Sequence, residues 1–388
     1  ARSYMEVFSA VKQERESRPK PIFLTKTLDA TPLELPQLKL DHLKLLTDDV
    51  GIMQHAKFIV PDRCHGYCTD DNARALIAVL MAQEITSNDK ELKKLACRYL
   101  SFLDHALNGQ KGFFRNFMGY DRRWLEEAGS EDCHGRAVWS LGTAVAYSKS
   151  ESLTGVALNL FERSLKTTAD FSSPRAMAFA LVGVHAYLRK FSGDSEVRRV
   201  RACLAEKLFK IYQANATDDW PWLEDTVTYA NGTIPQALLL SGQWLQRGEM
   251  IDAGLRSLEW LVQMQSDSRG HFVPIGNRGW FSRNGERSRF DQQPIEAQSM
   301  IEACVEAHNV THDKRWIEEG RRAFEWFLGR NDLNAPLYDY TTGGCRDGLT
   351  ADGPNLNQGA ESTLAWLLSL LSLHQLMITE ASEKHSIK

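Results

Sequence analysis

The sequence is short of the features that would give it away at once. In its 388 residues neither charge dominates, since 46 Lys and Arg stand against 50 Asp and Glu for a formal net charge of −4. The basic residues are interspersed with acidic ones along the whole length, which excludes the concentrated basic face of a nucleic-acid binder. No stretch reaches the roughly 18 uninterrupted apolar residues of a membrane span. The nearest, residues 364 to 378 (LAWLLSLLSLHQLMI), carries serines and His374 and reads as a buried helix. The first residues, ARSYMEVFSAVKQERE, lack the apolar run and small-residue cleavage site of a signal peptide. Also missing are GxGxxG after a strand, GxxxxGK[ST] and GxSxG, which leaves a nucleotide loop and a serine-hydrolase elbow without support. Cysteines number seven, an odd and scattered set that predicts free thiols in a reducing compartment, the cytoplasm. Cys64, His65, Cys68, Cys133 and His134 are soft enough ligands for zinc, yet no C-x2-C pair completes the pattern. No metal and no cofactor are therefore expected.

What the chain does have is an alternation of two helical patterns. Amphipathic, charged segments run over about residues 39 to 55, 88 to 107, 155 to 170, 194 to 216, 249 to 266 and 311 to 329. In EEGRRAFEWFLGRND, for example, Ala323, Trp326 and Phe327 fall on one face while Arg321, Arg322 and Arg330 can face water. Between them lie segments apolar on every side, starting near residues 71, 134, 175, 233, 294 and 359, and a helix apolar all round must be buried all round. A helix pair recurring six times, every 41 to 65 residues, predicts a closed repeat. The expected fold is all-α, an (α/α)6 toroid with six inner and six outer helices. Asp70 or Asp71, Asp132, Ser173 with Pro174, and Pro294 supply the capping chemistry at inner-helix starts. Parallel inner helices gather their leading loops at one mouth, where a pocket is expected.

This division gives three segments. Residues 1 to 38 contain a short charged helix and the proline-bearing stretch RPKPIFLTKTLDATPLELPQLKL, read as a linker. Residues 39 to 380 form the toroid, and residues 381 to 388 are expected as a disordered tail.

Carboxylates and aromatics cluster in the loops that enter the inner helices. The segment LTDDVGIMQHAKFIVPDRCHGYCTDDNARAL holds His55, Tyr67, Asp70, Asp71 and Arg74, and adjacent carboxylates at a buried helix start need compensation by an arginine, a dipole or a ligand. One of Asp70 and Asp71 is expected as the cap, which leaves the other for chemistry. In GFFRNFMGYDRRWLEEAGSEDCHGRA, aromatics including Trp124 interleave with polar residues before Asp132, His134 and Arg136, a mixture suited to the apolar face and hydroxyls of a sugar ring. Further along stand Arg175; Trp222, Glu224, Asp225 and Tyr229; Trp280, Gln293 and Glu296; and Asn357 with Glu361. Glu296 sits in the first turn of an inner helix, where burial raises a carboxyl toward the range of a general acid. Asp71 and Glu296 form the first expected catalytic pair, with Asp70, Asp132, Glu224, Asp225 and Glu361 as alternatives. His55, Tyr67, Arg74, Trp124, His134, Arg136, Arg175, Trp222, Tyr229, Trp280, Gln293 and Asn357 are expected to bind substrate.

The stretch HGYCTDDNARAL resembles a bacterial domain found fused behind group 1 glycosyltransferases or near mannoside-processing enzymes, and the ARSYMEVF start is similar to the closing helix of those GT-B transferases. The overall pattern is similar to glucoamylase-like and unsaturated-uronyl hydrolases and to N-acylglucosamine 2-epimerases. These resemblances imply a glycoside hydrolase acting on an oligosaccharide or polysaccharide, mannose-containing ones included, by carboxylate acid/base catalysis with inversion. They also imply a fused or associated glycosyltransferase. Three readings stand beside hydrolysis: an epimerase using His55, His134 or His271; a phosphorylase with Arg278, Arg283, Arg287 and Arg289; and a non-catalytic glycan-binding module.

Overall fold

The computed structural model describes residues 35–86 and 89–386. The chain divides into two units, Ala1–Gln37 and Leu38–Lys388. The expected N-terminal helix and most of the linker lie outside the described residues, and all of the described helices belong to the second unit.

Six inner helices form a ring: α2 (Thr69–Ile85), α4 (Glu131–Tyr147), α6 (Pro174–Lys190), α8 (Thr233–Leu245), α10 (Pro294–Thr311) and α12 (Ala360–Ser386). Each packs on the next, and α12 returns to α2 and closes the ring. The outer helices are α1 (Asp41–Leu46), α3 (Asp89–Ala106), α5 (Glu151–Leu165), α7 (Ser195–Asn215), α9 (Gly248–Met264) and α11 (Arg315–Glu325). The (α/α)6 toroid is thus the architecture, as the periodicity requires. Its tightest junction, between α4 and α6, is made by two glycines: a Cβ on Gly142 would stand 2.0 Å from the Gly183 carbonyl oxygen. No larger residue lets these two backbones approach so closely.

The differences from the sequence pattern have local causes. The outer helix expected over 39 to 55 is only six residues long, because the Asp48 carboxylate accepts the Val50 and Gly51 amides and turns the chain. The last helix continues to Ser386 rather than giving way to an irregular tail at 380, in keeping with the helix formers in TEASEKHS. Its Ala360–Thr379 portion has the length and apolarity of a membrane span, and here it is the sixth wall of the ring, mostly buried against its neighbours.

Short antiparallel pairs stitch the entry loops into a rim. They are β1 (Ala56–Lys57) with β2 (Val60–Pro61), β3 (Tyr67–Cys68) with β6 (Phe117–Met118), β4 (Leu107–Asn108) with β5 (Phe113–Phe114), β7 (Thr226–Val227) with β8 (Phe281–Ser282), and β9 (Gly348–Thr350) with β10 (Gly353–Asn355). The β3–β6 and β7–β8 pairs each join loops that lead into different inner helices. Gly66 makes the first possible: it has a φ of +66°, and a Cβ there would lie 2.1 Å from the Met118 carbonyl oxygen.

Candidate active site

The start of α2 departs from the expected capping. Neither Asp70 nor Asp71 caps the helix; β3 delivers Cys68 in an extended conformation, and its sulfur accepts the Asp71 amide. The loop that leads into α4 takes up further end groups, with the Asn116 carbonyl accepting Thr69 N–H at 2.8 Å. Both aspartate side chains are thereby free for other partners. The same correction holds at α4, where Ser130 rather than Asp132 is the cap.

Arg74, one turn along α2 and 2% exposed, gathers the carboxylates. Its Nη2 donates to Asp71 Oδ1 at 3.0 Å and to Glu361 Oε2 at 3.1 Å, while its Nε makes an ion-pair contact of 2.9 Å with Asp70 Oδ1. Nε and Nη2 are the side-on fork of a guanidinium, so the two aspartates stand side by side on one edge of it. Arg136, from α4, adds a close charged hydrogen bond to Asp70 Oδ2 and covers the Phe179 ring at 4.4 Å.

The consequence is a split between neighbours. Burial opposes ionisation of Asp70, but Arg136 and Arg74 outweigh it and hold that carboxyl below the usual range. Asp71 is pushed up to about 7 by burial, with the charges of Asp70 and Glu361 adding to the effect and Arg74 opposing it. Near neutral pH one carboxyl is ionised and its neighbour can carry a proton. That pairing can donate a proton and stabilise positive charge in the same place.

The two aspartates, Arg74 and Glu361 line a cavity of about 480 Å³ at the mouth where α2, α10 and α12 begin. Of the residues expected from the sequence, His55, Asp70, Asp71, Arg74, Gln293 and Glu361 line it. Asp347, Asp291, Gln292, Asn116 and Asn277 line it as well. Asp347 escapes a reading of the sequence because it lies in CRDGLTADG, whose glycines read as turn punctuation. In the structure it accepts Gly359 N–H at 2.7 Å, and burial raises its pKa. The bridge between Gln292 and Leu349 brings its loop to the α10 entry.

A second polar group stands beside the cavity. Asp132 accepts the Tyr229 hydroxyl at 2.6 Å and the Ser173 hydroxyl at 2.9 Å, and Arg175 donates to Glu224 at 2.6 Å and to the Tyr229 carbonyl at 2.6 Å. Trp280 lies 6.3 Å from the Tyr229 ring. Glu296 belongs here and not with Asp71. It is fully buried, accepts Ala230 N–H at 2.6 Å and Asn231 Nδ2 at 2.7 Å, and so braces the loop entering α8. Burial raises its pKa to about 7, as expected, but it does not line the cavity, and the cross-pocket pair Asp71/Glu296 is not assembled.

Other expected residues are placed elsewhere. The Tyr67 hydroxyl donates to Asp48 at 2.5 Å from a buried position, and Trp222 is wholly buried 6.2 Å from the Trp260 ring. Trp124 packs on Phe102 and Arg115. Asn357 accepts Phe58 N–H and anchors the β1–β2 hairpin, while Asp225 is exposed near Arg283. His134 is buried, stacked 4.2 Å from Phe113, with Nε2 bonded to Ser164 O and Thr167 Oγ1 and Nδ1 accepting Phe114 N–H. Its bonding capacity is filled by structure. The four arginines expected at a phosphate subsite are drawn to separate partners: Asp291, Asn215, Met264 and Asp332. Among the described residues, no group of three or more His, Cys, Asp or Glu is disposed to hold a metal ion.

No protein-family model matches this sequence, and no curated protein matches it significantly. Solved structures do. The chain resembles cellobiose 2-epimerase from Bacillus thermoamylovorans B4167 at 12% identity and a TM-score of 0.67, over 87% of this chain and 96% of that one. It resembles a GH76 α-mannanase from Bacteroides thetaiotaomicron at 11% identity and a TM-score of 0.61, over 87% and 95%. A third is the α-1,6-mannanase of Salegentibacter sp. HEL1_6, an inactive variant with two consecutive aspartates changed to alanine, in complex with α-1,6-mannotetrose; it shares 13% identity over 87% and 96%, with a TM-score of 0.54. The likeness is one of fold. All three match this chain along nearly their full length.

Proposed function

We propose that this chain is a glycoside hydrolase acting on an oligosaccharide or polysaccharide, with α-mannosides the first substrates to try. The observation that carries the proposal is the consecutive pair Asp70 and Asp71, lining one cavity on one guanidinium but held in opposite protonation preferences. In this reading Asp71 protonates the departing glycosidic oxygen, and Asp70, kept ionised by Arg136 and Arg74, faces the anomeric carbon. Glu361 balances Arg74, and His55, Gln293, Asn116 and Asp347 contact hydroxyls. The consecutive aspartates altered in the inactive mannanase support giving the reaction to such a pair. The side-by-side placement argues for retention rather than the inversion expected from a wider pair, because inverting enzymes leave roughly 6.5 to 9.5 Å for a water between their carboxyls.

The test is product analysis by mass spectrometry on manno-, gluco- and uronyl-oligosaccharides, with and without phosphate. Release of free sugar without phosphate is expected; turnover only with phosphate, or none on any sugar, counts against hydrolysis. The cytoplasmic setting and the glycosyltransferase partner implied by residues 1 to 38 belong to the same proposal and are tested by co-purification from the native host.

An epimerase is the second reading, favoured by His55. It is the one expected base histidine that lines the cavity, 4.5 Å from the His65 ring and close enough to Asp347 to feel its charge, and burial lowers its pKa so that the neutral base is available. Deuterium incorporation from solvent at a sugar carbon, with no bond cleavage, would select it over hydrolysis.

A further inference from the structure

The other end of the ring holds a cavity of its own. About 430 Å³ in volume, it is lined toward the C-terminal ends of the inner helices by Met81, Trp139, His185, Leu240, Glu302 and Glu306, among others. Nothing in the proposed hydrolysis uses it. Glu302 and Glu306 stand one turn apart on α10, and among the described residues neither forms an ion pair, although other acidic groups nearby do, as Glu84 does with Lys149. Both nitrogens of His185, 3% exposed, lack a hydrogen-bond partner, and so does Gln236 Oε1 in the same wall. Such groups cost free energy unless something satisfies them.

We propose that this cavity is a second binding site, for an alkylammonium ion whose charged end sits against Glu302 and Glu306 and whose methylenes lie along the Met81, Trp139 and Leu240 wall. Charge decides the class of ligand. Arg74 is committed to the aspartate pair and Glu361, whereas Arg189 lines this cavity, where its charge reaches Glu306 while one of its nitrogens donates to the Tyr147 hydroxyl. Arg201 approaches His185 from outside the ring and covers the Trp244 ring. Among the described residues neither carboxyl makes an ion pair, though Glu302 accepts Gln298 Nε2 at 3.1 Å; acidic groups outnumber cations in the lining, and desolvation pushes Glu302 and Glu306 each to about 7. An ammonium group supplies the missing charge and donates up to three hydrogen bonds, to carboxylates, Gln236 Oε1 and the acceptor nitrogen of neutral His185. A metal ion would need several ligands converging on a point, and among the described residues no group of three or more His, Cys, Asp or Glu is so disposed. An aromatic wall adds the attraction of a cation for a ring face.

The experiment is isothermal titration of the full chain at pH 8 with putrescine, and in parallel with butane-1,4-diol, its uncharged equivalent in length. One putrescine per chain is expected, with the diol giving no heat. Glu306→Gln and Glu302→Gln should each weaken binding at least tenfold. Thr379→Trp, an exposed substitution at the rim, should block entry without touching the carboxyls. Asp71→Asn should leave putrescine binding unchanged, so this test is independent of the hydrolase reading. The absence of putrescine binding, equal binding of the diol, or binding that survives both glutamine variants would each overturn the proposal.

Discussion

The Cys68 thiol donates to Asp71 Oδ2 at 2.9 Å, and the same sulfur accepts the Asp71 backbone N–H. One side chain therefore caps α2 and tunes the carboxyl proposed as the proton donor. The thiol bond favours the ionised form of Asp71, so its loss lifts the Asp71 pKa further above about 7. A general acid works while protonated, and the alkaline limb of the rate profile should follow its pKa. Cys68→Ala is expected to move that limb to higher pH and to cost about 1 kcal/mol of stability through the lost cap, with Cys68→Ser restoring both. A pH–rate profile with an unchanged alkaline limb would detach Cys68 from Asp71's titration.

Asp71→Asn should reduce turnover of natural glycosides by roughly 10²- to 10⁴-fold, the usual worth of general acid catalysis. It should reduce turnover of an aryl glycoside with an acidic phenol much less, since that leaving group departs unprotonated. Asp70→Asn should depress both substrates alike. Equal losses on both substrates for Asp71→Asn would remove it from the acid role. Steady-state kinetics on the two substrate types separates these outcomes.

Much of the fold is legible in the sequence, for a physical reason. Burial on all sides leaves a continuous apolar signature, so the inner helix beginning at Thr69 or Pro294 can be located to within a few residues from NARALIAVLMA or PIEAQSMIEACVEA alone. The carboxylates at those starts are legible too. What cannot be read is which way each points. Asp70 and Asp71 look like caps because Asp is a common cap, and only the β3–β6 pairing shows that Cys68 takes that place. Glu296 looks catalytic because its helix is right and its burial is right. Its partner, the Asn231 loop, lies 65 residues away in sequence, a separation over which local patterns carry no information. Trp222 reads as a sugar platform and is core, since an aromatic in a polar loop has the same signature in either role.

Carboxyls held away from water also set how stability should vary with pH. Asp71, Glu296, Glu302 and Glu306 all have folded pKa values near 7, raised chiefly by burial. The folded state therefore holds protons that the unfolded chain, titrating near 4, has released, and stability falls as pH rises through 7. His134 and His185 act in the opposite sense, since burial lowers them to about 4 and about 3 and makes stability rise with pH up to about 6.5. Between pH 6.5 and 7.5 the histidine effect fades as the unfolded imidazoles lose their last protons, and the carboxyl effect dominates. The melting temperature should fall across that interval, and by less in Glu306→Gln. A flat or rising melting curve from pH 6.5 to 7.5 would show that these carboxyls ionise without penalty.

The geometry of the aspartate pair bears on stereochemistry. Asp70 and Asp71 share one edge of Arg74, and an Asp71 oxygen and a Glu361 oxygen on the same nitrogen, with legs of 3.0 and 3.1 Å, stand no more than about 6 Å apart. The Asp70/Asp71 arrangement in particular does not leave the gap in which an inverting enzyme seats its water between acid and base. A carboxylate that close to the acid attacks the anomeric carbon itself, and the product keeps the configuration of the substrate. Proton NMR in the first minutes of hydrolysis, before mutarotation, is expected to show the α-anomer released from an α-mannoside. The β-anomer as first product would require a water between more distant carboxyls, and would return Asp132 and Glu224 to consideration as the base.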